Sequence, residues 1–347
     1  MKKNIQTNHH GDGRCDRLLF ESEGKGLAII REITTVASVA MPVAEAWRVK
    51  RCRYACEGES AGRLCIATGI HGDEMMGQLI VFGVARRIMA QPEHLHGIVD
   101  IYPMLNPLGL DSGSRMVPST AQLDMNRAFP GRPDGTALES VCWRVLEDMK
   151  GADLVLDIHA STKNKSELFE VRINNPGAEA LIEQARTLCP ELIWVYPDTN
   201  MYSGSLTGTL GVMGTPALIL EADERTRRPN EIAERVVEGI LCKMTDMGLW
   251  TGDCALKAPQ LNDIPCIRTE DEISIVTCEK PGIYVPLNLI GKRVAQGDML
   301  GMIIDALEGS VREEVRAPFG GLVFSQRSYS SVYPGTMLAR LKKEVQA

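Results

Sequence analysis

The sequence predicts an α/β fold, a mixed, largely parallel sheet with helices on both faces, followed by a small all-β sandwich. Three observations lead there. Between about residues 60 and 250, short apolar runs alternate with longer stretches of helical period, the pattern of βα units. Runs such as LVLDI and ALIL read as strands buried on both faces, as in parallel sheets. After Trp250 long helical periods vanish until the last few residues, and short strand-like runs between Pro and Gly turns replace them. The expected division is 1–250 for the α/β domain and 251–347 for the β-rich domain. Residues 1–60 are assigned only as a few strands leading into the sheet.

In order, 63–69 reads as a strand, and 74–90 as a helix with Met76, Leu79, Ile80, Gly83, Val84 and Ile88 on one face. Then come a strand at 99–105, a helix at 140–149, a strand at 154–158, a helix at 178–188, a strand at 217–220 and a helix at 231–247. The stretch 106–135, rich in Gly, Pro, Ser and Asp, reads as a long loop, which in a compact domain is more often functional than idle. The glycine-rich 204–211 reads as a loop near the site. In the tail, 273–278, 300–304 and 321–324 are strand-like.

A chain of 347 residues suits about two domains and needs no staples to hold a core. Its 45 acidic and 38 basic side chains give a charge of −7, which argues against nucleic acid or an anionic membrane as partner but leaves room for a small positive pocket. No apolar run reaches the ~18–20 residues of a membrane span, and the first 16 residues carry no secretory-type apolar stretch. Ten scattered cysteines form no C-x-x-C pair, so the expected setting is the reducing cytoplasm.

Of six histidines, two directly follow buried strands, where α/β sheets place ligands. His71 and Glu74, in H-x-x-E spacing with Gly72 allowing a tight turn, join His159 as two imidazoles and one carboxylate, a catalytic zinc set with a fourth position for water. Asp157, two residues before His159, is a candidate to orient it. The ordinary alternative makes these capping and loop residues, with Asp73 or Glu74 meeting a helix dipole. His94 and His96 fit a connecting loop, and His9 and His10 the terminus. Asn126 and Arg127 offer an amide and a guanidinium fork for a carboxylate, or form a solvated turn. Glu221, at the end of an apolar strand, is a candidate general base or an ordinary strand-end acid, with Asp223 and Glu224 as competitors. Phosphate-loop and dinucleotide fingerprints are absent from the sequence.

His71-x-x-Glu74, Asn106-Pro107, Arg115, Asp124-Met125-Asn126-Arg127, Asp157-Ile158-His159 and Glu221 occur in the order found in zinc carboxypeptidase-like hydrolases. Over about 60–225 the chain most resembles the succinylglutamate desuccinylase/aspartoacylase branch. The resemblance implies that His71, Glu74 and His159 bind one Zn²⁺ per chain. It implies Glu221 as general base and acid, Asn126 and Arg127 on the substrate carboxylate, and Arg115 on the scissile carbonyl. Glu221-Ala222-Asp223 departs from the Glu-x-Gly frequent in related enzymes, so a familiar substrate does not carry over. Residues 291–300 and 317–323 resemble the turns of a lipoyl/biotinyl-type sandwich, yet no lysine lies between Lys292 and Lys342. A carrier role is therefore not expected, and the tail reads as a wall beside the entrance. The expectation is a zinc-dependent deacylase of a small, carboxylate-bearing N-acyl amino acid or related compound, a homo-oligomer being compatible. The alternatives are a zinc carboxypeptidase acting on short peptides and a non-catalytic metabolite-binding protein on the same fold.

Overall fold

A computed structural model describes residues 2–4, 15–21, 28–42, 44–118, 123–161, 164–174, 178–196, 204–223 and 229–343. Its first twelve strands are β1 (Lys2–Asn4), β2 (Cys15–Glu21), β3 (Ala28–Ala40), β4 (Ala46–Cys56), β5 (Arg63–Thr68), β6 (Ile98–Tyr102), β7 (Leu154–Ala160), β8 (Lys165–Glu167), β9 (Glu170–Ile173), β10 (Leu192–Val195), β11 (Ala217–Ala222) and β12 (Cys266–Ile267). All but β8 form one sheet, in the order β1-β2-β3-β4-β6-β5-β7-β11-β9-β10-β12. The middle, β6-β5-β7-β11, is parallel. On one flank β1 to β4 run antiparallel to one another and β4 to β6; on the other, β9 opposes β11 before β10 and β12 continue parallel to it. The sheet is thus mixed throughout, with parallel character concentrated at its centre rather than prevailing across it. The long hairpin β3–β4, only vaguely expected, supplies much of the antiparallel part.

Helices α1 (Met76–Ala90), α2 (Pro107–Ser112), α3 (Ala137–Met149), α4 (Ala178–Arg186), α5 (Leu206–Val212) and α6 (Pro229–Asp246) accompany this sheet. The pleat divides its core in two. On one face Leu64, Ile66, Leu154, Leu156, Leu218 and Leu220 pack with Ile80 and Val84 of α1, Ile182 of α4 and Val236 and Ile240 of α6. On the other, Cys65, Ala67, Val155 and Ala217 pack with Val141 and Val145 of α3 and Leu206 and Leu210 of α5. At the foot of the parallel strands, Asp100 is fully buried and takes hydrogen bonds from Arg53 (2.7 and 2.8 Å) and Arg63 (2.8 Å).

Two segments read as loops contain helices. Asn106 accepts from the Gly109 amide at 2.9 Å and Pro107 opens α2, as proline does where no N–H is needed. Ser205 likewise caps α5 through the Gly208 amide (3.1 Å), and burial of Leu206 and Leu210 outweighs the glycines. Leu79, expected on the buried face of α1, is exposed.

The tail contains β13 (Ile273–Thr277), β14 (Gly282–Pro286), β15 (Arg293–Val294), β16 (Met299–Ile304), β17 (Val311–Arg316), β18 (Gly321–Arg327), β19 (Ser330–Val332) and β20 (Met337–Lys343). The chain ends its described part in a strand, where helical period was read. The sheets β13-β20-β18-β15 and β17-β16-β14-β19 enclose Tyr284, Leu300, Ile303, Val323, Leu338 and Leu341. The two halves of the chain exchange strands at their border: β12 joins the large sheet, and β8 pairs with β18. Among the described residues no helix is long and apolar enough to cross a membrane.

Candidate active site

Strand geometry gathers the site at the carboxyl ends of the central strands. Val155, Asp157 and His159 alternate along β7 onto one face, and Ile219 and Glu221 follow Ala217 on β11. His159 and Glu221 are register neighbours, as are Glu221 and Glu170 and also Ile219 and Arg172. His71 lies in the turn after β5. There Gly72 passes so close to the 106–115 segment that an added Cβ would stand 1.9 Å from the Gly109 carbonyl carbon. Only glycine permits that approach.

His71, Glu74 and His159 are all buried, and their ligating atoms lie within 4.8 Å of one another. His71 Nδ1 is 2.7 Å from Glu74 Oε1, and His159 Nδ1 is 3.1 Å from Glu74 Oε2. Behind the rings, His71 Nε2 meets Asp124 Oδ1 at 3.2 Å and His159 Nε2 meets Asp157 Oδ2 at 3.0 Å. Each imidazole is thereby held on its far side by a carboxylate, with Nδ1 presented to the common centre, the arrangement in which metal-binding histidines are usually oriented. Glu74 precedes α1 and does not serve its first turn, and the Ala160 amide donates to its Oε2 at 3.0 Å.

Charge argues for the same tenant. Glu74, Asp124 and Asp157 surround two imidazoles, and Arg115 reaches Glu74 at 3.1 Å and Asp124 at 3.3 Å. With neutral imidazoles, three carboxylates against one guanidinium leave a deficit that a divalent cation would cancel. The titration behaviour expresses the same demand. Burial by itself would raise the Glu74 and Asp124 carboxyls, yet the histidines outweigh it and hold both well below the usual carboxylate range. Burial works against a charged His159, but Asp157 and Glu74 raise it well above its ordinary value. Two nitrogens and one carboxylate oxygen form a donor set that suits zinc.

A cavity of about 190 Å³ opens on this cluster. It is lined by His71, Glu74, His159, Arg115, Asn126, Arg127 and Glu221, so the structure brings all seven expected site residues together. Arg127 donates to the Asn126 carbonyl at 2.7 Å, and Asn126 Oδ1 accepts from the Leu206 amide at 3.0 Å. That carboxamide oxygen anchors α5, a structural duty the sequence did not reveal. Asp223 is buried and accepts from Ser161 Oγ at 3.1 Å; Ser161 lines the cavity, whereas Asp223 does not. Glu224, His9 and His10 lie outside the described residues.

Sequence reasoning passed over Lys165 and Arg172, which also line the cavity, and assigned Asp124 no task. Arg172 donates to Glu221 Oε1 at 2.6 Å and to Glu170. Burial pushes the Glu221 carboxyl above its ordinary value, against the lowering effect of Arg172 and His159. Burial likewise lifts Glu170 to about 7. A charged Glu-x-Arg pair inside the short run EVRI was the available signal for Arg172.

The fold is a mixed α/β one that has a carboxypeptidase-like neighbour. The model of the succinylglutamate desuccinylase/aspartoacylase catalytic domain matches residues 60–242. The chain belongs to the succinylglutamate desuccinylase/aspartoacylase family. It is 26% identical over 291 residues to N-alpha-acetyl-L-2,4-diaminobutyric acid deacetylase of Halomonas elongata, covering 80% of this chain and 81% of that one. Among solved structures, the product-bound ectoine utilization protein of Ruegeria pomeroyi superposes with a TM-score of 0.73 at 20% identity, covering 94% and 98% of the two chains. An aspartoacylase family protein of Mesorhizobium loti gives 0.71 at 22% identity, covering 95% and 99%. A metallo-carboxypeptidase of Burkholderia cenocepacia shares the fold more distantly, with a TM-score of 0.51 at 13% identity over 62% of this chain and 64% of that one.

Proposed function

We propose that this protein is a zinc-dependent deacylase that hydrolyses the amide bond of a small N-acyl amino acid or a related compound. The observation that carries the reading is the convergence of His71 Nδ1 and His159 Nδ1 on Glu74, each ring backed by its own carboxylate, beside Glu221 on the adjoining strand. His71, Glu74 and His159 would hold one zinc ion. When bound, such an ion lowers the pKa of water towards ~7 and polarises a carbonyl. Glu221 takes the proton of the attacking water and returns it to the leaving nitrogen, a task helped by burial that raises its proton affinity. Arg115, on the cavity wall, meets the negative charge that develops on the carbonyl oxygen. Arg127, with the Asn126 amide, holds the substrate carboxylate. Relatives named for deacetylase and desuccinylase chemistry support the reaction class. In this reading residues 1–250 form the hydrolase domain and 251–347 a β domain without a carrier lysine, β12 and β8 being the strands they exchange.

The cavity, at about 190 Å³, falls below the ~300–1,000 Å³ that drug-sized ligands fill, which favours a small metabolite over a peptide. Initial rates on N-acetyl and N-succinyl amino acids, set against di- and tripeptides, test this. The acyl amino acids should lead in kcat/KM by an order of magnitude or more. Preference for peptides would establish a carboxypeptidase, and inertness towards both classes would end the enzymatic reading.

A further inference from the structure

The reaction described above leaves unused a row of charges behind Glu221. Arg172 fans its guanidinium across three carboxylates: Glu221 at 2.6 Å, Glu170, and Glu167 at 3.5 Å. Glu167 is buried in turn, and its other neighbours are Lys165 Nζ at 2.8 Å and Arg340 Nη1 at 3.6 Å. Arg340 belongs to β20 of the C-terminal domain. The strands β8, β18 and β20 set Glu167, Ser325 and Arg340 side by side across one ladder. The indole of Trp194 joins the ends of the row, with the guanidinium carbons of Arg172 and Arg340 each 5.5 Å from its ring centre. Planar guanidinium groups suit such a ring and keep their forks aligned on carboxylates.

We propose that Arg340 of the C-terminal domain is a positioning residue for Glu221, acting through Glu167 and Arg172. This rests on the reading of Glu221 as the general base. Three cations, Lys165, Arg172 and Arg340, face three carboxylates, Glu167, Glu170 and Glu221, in a largely buried cluster. Without Arg340, Glu167 loses a counter-charge and draws Arg172 towards itself, because an underpaired buried carboxylate is costly. The Arg172 fork then holds Glu221 less firmly. Arg340 does not line the cavity, and Arg172 holds Glu221 rather than the groups assigned to the substrate, so the loss falls on proton transfer more than on substrate binding. The C-terminal domain thereby completes the catalytic site from behind.

The test compares Arg340→Met, Arg340→Lys, Glu167→Gln and the Arg340→Met/Glu167→Gln pair on the best N-acyl amino acid substrate of the parent. Arg340→Met should lower kcat about tenfold with KM little changed, the signature of lost orientation. Arg340→Lys should recover most of that loss, and the double variant should fall short of the product of its two single effects. An unchanged kcat in Arg340→Met, a fall shared equally by Arg340→Lys, or strict additivity in the pair would overturn the proposal. A second readout needs no turnover. The Arg172 Nε–H resonance, assigned by its disappearance in Arg172→Lys, should move in Arg340→Met and return towards the parent position in Arg340→Lys. An unmoved resonance contradicts the coupling. If the parent cleaves no N-acyl amino acid, it is the deacylase reading that fails, and the resonance alone decides whether Arg340 acts on Arg172.

Discussion

Replacing Asp157 by Asn changes one oxygen to an amide nitrogen and leaves side-chain volume nearly unaltered, so no cavity opens. Asp157 is 1% exposed, and its Oδ2 lies 3.0 Å from His159 Nε2. Asn can still accept that hydrogen bond through its oxygen, but the negative charge that makes the imidazole a stronger donor to a cation is gone. Loss of a carboxylate behind a metal-binding histidine costs ~10–100-fold in metal affinity, or about 1.4–2.7 kcal/mol. A second cost falls on the fold. Among the described residues the other oxygen, Oδ1, has no hydrogen-bond partner, and an NH₂ group placed there would be a buried unsatisfied donor, costing about 1–3 kcal/mol. The two effects separate by assay: competition with a chromophoric chelator gives zinc affinity, and urea unfolding of the zinc-free protein gives stability. Zinc affinity within about threefold of the parent, well inside the ~10–100-fold range, would refute the claim that Asp157 orients a metal ligand.

Other outcomes follow from the same geometry. Glu221→Gln should keep zinc and fold yet lose at least ~10²-fold in turnover, measured on the same preparation; near-normal turnover would remove Glu221 from the base role. Arg127→Lys keeps its charge but loses the fork, so kcat/KM should fall for free-carboxylate substrates and hardly change for carboxamide-capped ones; equal cleavage of capped and free forms by the parent would return Arg127 to a loop role. Asp100→Asn leaves Arg53 and Arg63 without their buried carboxylate and should destabilise by about 3–5 kcal/mol near neutral pH in urea unfolding. Those arginines hold the Asp100 carboxyl below its ordinary range against burial, so its stabilisation is present above the unfolded value of ~3.9 and is lost as pH falls through the folded one. The gap between parent and variant should accordingly narrow below about pH 4 and stay constant above pH 6.

The central βα units were legible because a strand buried on both faces must be a continuous apolar run. The strands β5, β7 and β11 and the helices α1, α3 and α6 therefore stand close to where periodicity put them. Helix α5 was not legible, since its stability comes from Ser205 capping and the burial of Leu206 and Leu210 rather than from the intrinsic preference of a glycine-rich run. The pairing of β8 with β18 was equally hidden, because contact across 158 residues (Glu167 with Ser325) leaves no local mark. In the site, His71, Glu74, His159 and Glu221 stood out as polar groups at or just beyond the ends of apolar strands. Asp124 and Arg172 did not, because what they do depends on partners 53 and 49 residues away, His71 and Glu221.

In the proposed reaction, zinc held by His71, Glu74 and His159 is required for amide hydrolysis. The most direct test of that requirement measures zinc content and N-acyl amino acid hydrolysis on one sample, before dialysis against a chelator, after it, and after stepwise return of zinc. Activity should disappear with the metal and return linearly to a plateau at about one equivalent per chain, with no plateau reached by His159→Ala. Full activity in zinc-free protein, or full recovery in His159→Ala, would contradict the requirement.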